Sequence, residues 1–112
     1  EKTIVDIATK PQYCGGITGV GNAIFNTKDR INLDKLFYYF AMNNNKSAKK
    51  RYLFLTELFE MGWTTKHDKM MEELGSGISI LDPLAPKQGI KRSRFGLKIN
   101  LDPGLIKEDV IR

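Results

Sequence analysis

The feature that most constrains this chain is a change of hydrophobic period at Gly75-Ser76-Gly77. Before it, apolar residues recur every three or four positions, the spacing that lines one face of a helix. After it they alternate singly, the spacing of a half-buried strand. A chain written this way is α+β: helices come first and the strands gather in the C-terminal half. We expect about five short helices packed with a small antiparallel β-sheet. With 112 residues, 41% of them apolar, residues 1–112 have material for a single domain with one core.

The helical part divides at its breakers. Ile4, Val5 and Ala8 mark a short first helix ended by Pro11. Ile17, Val20, Ile24 and Phe25 mark a second, which Gly19 and Gly21 weaken. Asn32 is a suitable N-cap for a third, with Leu33, Leu36, Phe37 and Phe40 on one face and Asn43-Asn44-Asn45 at its end. A fourth runs from Lys46 or Ser47 to Met61. Its stripe is Ala48, Tyr52, Leu55 and Phe59, widened by Phe54 and Leu58, so we expect it at the centre. Gly62 is its natural stop, and Thr65 followed by Asp68 resembles a capping box that opens a fifth helix to Leu74. Beyond the switch, Ile78 to Leu81 reads as a strand stopped by Asp82-Pro83. Phe95, Leu97, Ile99 and Leu101 form the clearest alternating strand, and Asp102-Pro103-Gly104 reads as a turn. Leu105 to Arg112 is too short to assign.

The charge is +5 and unevenly placed. No carboxylate occurs from Lys35 to Thr56, where Lys46, Lys49, Lys50 and Arg51 cluster, nor from Pro83 to Leu101, which holds Lys87, Lys91, Arg92, Arg94 and Lys98. These nine are the candidate contacts for an acidic partner or nucleic acid. Lys46, Lys49 and Lys50 are expected to face water from a first helical turn whose dipole they oppose. Arg92, Arg94 and Lys98 are expected to form one patch beside the Pro83 to Ser93 loop. The bland alternative is a solvated helix start and a solvated loop.

Catalytic readings find little support. Cys14 and His67 are the sole members of their types, too few for an internal disulfide or a four-ligand zinc site. His67-Asp68 has the form of a phosphohydrolase metal dipeptide, but that chemistry needs further histidines. Cys14 as a nucleophile needs a base such as His67 beside it, so a partly buried structural thiol is the simpler reading. Gly16, Gly19 and Gly21 imitate a dinucleotide loop without the strand that must precede one. We expect no enzyme and no cofactor. The longest apolar stretch, Leu36 to Met42, is far below the roughly 20 residues of a membrane span. A start at Glu1 with neither initiator Met nor signal-peptide pattern is the mark expected of a piece of a longer intracellular chain.

Glu1-Lys2-Thr3-Ile4-Val5-Asp6 and Pro11-x-Tyr13-Cys14-Gly15-Gly16-Ile17 resemble the opening of the C-terminal domain of AbiEi-family antitoxins. The likeness continues through Leu33, Asp34, Lys35, Leu36 and Tyr39, then Lys50-Arg51 with Leu55, Glu57 and Leu58. It closes with Leu81-Asp82-Pro83, Pro86, Gly89 and Arg94-Phe95-x-Leu97-Lys98-x-Asn100. Leu53-Phe54 stands where the family pattern has Gly-Tyr, and Phe95 where it has Trp; both keep apolar volume. The resemblance implies the C-terminal antitoxin domain of a cytoplasmic transcriptional autorepressor in a bacterial type IV toxin–antitoxin, abortive-infection system. The N-terminal winged helix of such proteins, absent here, reads operator DNA, and the partner is a nucleotidyltransferase-like toxin. The residues alone leave a second reading open, a stand-alone nucleic-acid-binding module using Lys46 to Arg51 and Lys87 to Lys98.

Overall fold

The computed structural model describes residues 1–87 and 91–111; Gly89 of the family pattern and the middle of the Pro83 to Ser93 loop lie outside them. In chain order the described elements are α1 (Lys2–Thr9), a 3-10 turn (Pro11–Cys14), α2 (Ile17–Thr27), α3 (Leu33–Asn43), α4 (Lys46–Leu58), α5 (Thr65–Glu72), β1 (Ser79–Ile80), β2 (Lys91–Arg92), β3 (Leu97–Ile99) and α6 (Pro103–Val110). The fold is α+β, and the strands follow the period switch.

The junctions follow from side-chain chemistry. Asn32 Oδ1 accepts the Lys35 N–H at 3.1 Å and caps α3. The asparagine triplet does two jobs: Asn44 takes the left-handed conformation (φ 48°) that ends α3, and Asn45 caps α4 by accepting the Ala48 N–H at 2.9 Å. The two weakening glycines of α2 are sites of close approach. A Cβ on Gly19 would sit 1.9 Å from the Cys14 carbonyl oxygen, so the chain needs glycine there to fold the 3-10 turn against α2.

α4 is central, packed against α1, α5, β1 and β3. Every residue from Ala48 to Thr56 is buried, and Tyr52, Leu55 and Phe59 are core residues as expected. Ring pairs such as Phe37 with Tyr52 (centroids 5.9 Å) and Phe54 with Phe95 (6.4 Å) tie α3 and the sheet to it.

Several local expectations are corrected. α4 ends at Leu58, and Glu60, not Gly62, carries the positive φ (53°) after it. The cap of α5 is Thr64, with His67 at the third position: His67 Nδ1 accepts the Thr64 backbone N–H at 3.0 Å, the role Thr65 and Asp68 were assigned. Asp102-Pro103 opens a helix rather than a turn, because Asp102 Oδ1 accepts the Gly104 N–H at 2.8 Å and Pro103 needs no donor in the first turn. The sheet is mixed. β3 lies between β1, parallel to it, and β2, antiparallel to it. The long connection from β1 lets the chain form β2 first and return antiparallel to it, bringing β3 alongside β1 in the same direction.

Candidate basic interface

Lys46 is exposed as expected, but Ala48 to Thr56, which follow it in α4, do not face water. Lys49, Lys50 and Arg51 are 3%, 2% and 5% exposed, which overturns the expected solvent exposure of Lys49 and Lys50, because a helix stretch covered on all sides has no outer face. Each cation is bonded inward. Lys46 Nζ, itself exposed, donates to the Glu73 carbonyl at 2.7 Å. That carbonyl sits at the C-terminal end of α5, where a cation is favoured, and this offsets the unfavourable position at the start of α4. Lys49 Nζ pairs with the Glu73 carboxylate at 3.6 Å and Lys50 Nζ donates to the Gly77 carbonyl at 2.6 Å. Burial, and secondarily Lys46, pushes the Lys50 ammonium below its ordinary pKa.

Arg51 is the most deeply committed of the four. Its guanidinium donates to Ala8 O (2.9 Å) and Thr9 O (3.3 Å), the free carbonyls at the end of α1. On its other side it donates to Ile80 O (2.9 Å) and Leu81 O (3.2 Å), at the end of β1. Asp82, buried next in sequence, is the nearby negative charge. The same Asp82 approaches Gly16 so closely that a Cβ there would lie 3.0 Å from both carboxylate oxygens, and Gly16 carries a φ of 103°. Asp82 N–H in turn donates to Asn100 Oδ1 at 2.9 Å, and Asn100 Nδ2 to Asp82 O at 2.7 Å. Residues 16, 51, 82 and 100, far apart in the chain, thus form one polar knot.

The second basic zone stays outside. Lys87, Lys91 and Arg92 are exposed and Lys98 is half-buried. Ser93 N–H donates to Leu97 O at 2.9 Å, and the register pairs Lys91 with Ile99 and Arg92 with Lys98. Because bonded and non-bonded pairs alternate along an antiparallel ladder, Arg92 and Lys98 form a non-bonded pair whose side chains rise from one face at close range. Leu97 is buried, so Lys98, its neighbour, points to the opposite, outer face. The backbone N–H and C=O of Arg92 turn to the outer edge of β2, which no other strand covers among the described residues. No ion pair engages Lys91, Arg92 or Lys98 among the described residues.

Arg94, expected in the same patch, is held elsewhere. Its guanidinium bonds the Glu57 carboxylate, Nε at 3.0 Å, and lies over Phe95 and Trp63, 4.6 and 5.4 Å from their ring centres. Nothing in the sequence marked Glu57 as its partner, since 37 positions separate them.

Cys14 and His67 belong to separate networks. The Cys14 thiol donates to Pro11 O at 3.4 Å, and burial together with Asp82 pushes its pKa up, which keeps it a thiol. His67 bonds Tyr52 and Thr64. Among the described residues no three metal-ligating side chains converge. Comparison of the chain with protein-family models, curated proteins and solved structures finds no match.

Proposed function

We propose that this chain is the C-terminal antitoxin domain of an AbiEi-like autorepressor, a binding unit that neutralises a nucleotidyltransferase-like toxin in a phage-defence system of the bacterial cytoplasm. Operator DNA is read by a winged helix elsewhere in the full-length protein. The observation that carries the reading is the unneutralised Arg92–Lys98 pair beside Lys91 on the outer face and edge of the sheet. Like charges directly across a ladder oppose each other. An acidic surface laid on them relieves that repulsion, and the edge-facing backbone groups of Arg92 add directional bonds. The family pattern is consistent with this division: Gly16, Arg51, Asp82 and Asn100, all quoted for the resemblance, form the structural knot, which leaves contact to other residues.

Charge reversal of Lys91, Arg92 and Lys98 in the full-length protein tests the proposal. We expect loss of protection in a growth assay against the nucleotidyltransferase-like toxin, with an unchanged melting temperature. Retained protection would reduce the charges to a guard against edge-to-edge aggregation. Loss of operator affinity alone, with a shallower salt dependence, would instead favour the nucleic-acid-binding module.

A further inference from the structure

At the β2 edge of the sheet, one residue turns both its backbone and its charge outward. Ser93 N–H donates to Leu97 O at 2.9 Å, so the alternation of the ladder directs the N–H and C=O of Arg92 away from β3. They face the edge that no other strand covers among the described residues. One residue further the chain reverses, since Gly96 N–H donates to Ser93 O at 3.1 Å. Across the outer face the register sets Ile80, Lys98 and Arg92 in one row. The row is open at its Arg92 end.

The chemistry of that end separates three kinds of occupant. A second copy presenting the same edge would bring cations onto cations, which is how basic residues protect a strand edge. A nucleic-acid phosphate accepts from Arg92 N–H and from the cations, but it brings no donor for Arg92 C=O. A peptide backbone brings both a donor and an acceptor, and an extended segment laid along an edge presents them in the geometry of the ladder.

We propose that the edge of β2 takes an extended acidic segment of a partner protein as an additional antiparallel strand, with an Asp or Glu opposite Arg92. This rests on the acidic-partner reading of the same face and specifies how the partner is held. Antiparallel pairing suits an edge with one outward-turned residue, because a single opposite residue supplies both bonds, whereas a parallel strand must bring two. Opposite residues share a face, so the carboxylate lies beside the Arg92 guanidinium and extends the row Ile80, Lys98, Arg92.

The probe is the capped peptide Thr-Val-Thr-Glu-Thr-Val-Thr. One control carries Gln for Glu and lacks the charge; the other carries an N-methyl group on the Glu amide and lacks the donor to Arg92 C=O. On the protein, Arg92→Ala and Arg92→Pro both remove the cation, and only the second removes the outward N–H. Proline is tolerated where the N–H lies outside the ladder, so Arg92→Pro should fold. In an NMR titration of the chain we expect the Glu peptide to shift the Ser93 and Lys98 amides saturably, with a Kd on the order of 1 mM. Each control peptide should bind at least about fivefold more weakly. Arg92→Ala should weaken the Glu peptide at least about threefold, and Arg92→Pro at least about threefold again. Equal affinity of the N-methyl and unmodified peptides, or of Arg92→Pro and Arg92→Ala, overturns strand addition and leaves the acidic-partner reading to the charge-reversal test. Equal affinity of the Gln and Glu peptides, or shifts that rise without saturating, overturns the proposal as well. An oligothymidylate that shifts the same amides at lower concentration than the Glu peptide assigns the edge to nucleic acid instead. Unfolding of Arg92→Pro would place the Arg92 N–H inside the ladder and remove the geometry on which the proposal stands.

Discussion

The two basic stretches differ in composition very little and in fate completely. Lys49, Lys50 and Arg51 are buried and, with the exposed Lys46, are bonded within the molecule, chiefly to carbonyl groups at the ends of α1, α5 and β1 and at Gly77. Among the described residues Lys91, Arg92 and Lys98 meet no such groups. The difference teaches that a run of cations says nothing about a partner until the chain ends around it are known. Helix C-termini and strand ends leave carbonyls without intrahelical or ladder partners, and a basic side chain reaching them through the core is a structural bond.

The sharpest way to break the comparison is at Arg51. Replacement by Met keeps much of the volume but leaves the carbonyls of Ala8, Thr9, Ile80 and Leu81 buried without their donor. We expect a loss of about 3–5 kcal/mol in urea unfolding. Arg51→Lys should recover only part of it, because an ammonium cannot reach both sides as the planar fork does. A loss below about 1 kcal/mol for Arg51→Met would remove the structural role.

A medium effect separates the interior from the surface by pH. His67 is held neutral with its pKa below the ordinary 6.5. Its contribution is complete above that value. As pH falls through 6.5 the unfolded chain takes up a proton that the folded chain refuses, so stability declines until the lowered folded pKa is reached. The slope is at most about 1.4 kcal/mol per pH unit. With a single histidine in the chain, His67→Gln should flatten the melting temperature between about pH 6.5 and 5, at a lower absolute value. An unaltered slope would assign the acid sensitivity to carboxylates.

The smallest effect is expected outside. Arg92→Gln with Lys98→Gln removes a cross-strand repulsion and should leave stability equal or raise it by about 0.2–1 kcal/mol at low salt, with the gain vanishing at high salt. A clear loss of stability would mean that these side chains are bonded within the fold after all.

How much of this was legible in the sequence depended on how many sides of an element are covered. Helices with one wet face, such as α1 and α3, showed their apolar stripe, and Asn32 showed its cap. The alternation through Leu97, Lys98 and Ile99 placed Lys98 on the outer face correctly. α4 was legible as the central helix, and Lys46 faces water as expected, yet Lys49 and Lys50 were misplaced: once every side is covered, polarity no longer marks the exposed face, and the long stems of Lys50 and Arg51 are themselves packing material. β2 could not be seen because two adjacent cations carry no apolar alternation. Its place is set by hydrogen bonds to β3, not by burial. α6 was missed because Asp102-Pro103-Gly104 reads equally as a turn or as a cap followed by a first-turn proline. The Tyr52–His67 pair left no sequence signal, since the two residues lie 15 positions apart on different helices. Cys14 and His67 were legible as unconnected, and their separate hydrogen-bond networks agree.

The central claim is that one basic stretch belongs to the fold and the other to the surface, and the rate at which each lysine reacts with acetic anhydride in the folded chain tests it most directly. Peptide mass analysis reads every lysine in one experiment. Lys91 and Lys87 should react at rates near those of free amines, while Lys49 and Lys50 should lag them by at least about tenfold, even though the depressed pKa of Lys50 favours its reactive neutral form. If Lys50 is acetylated as fast as Lys91 under conditions where the chain stays folded, the inward bonding of the first basic stretch, and with it the division between the two, is wrong.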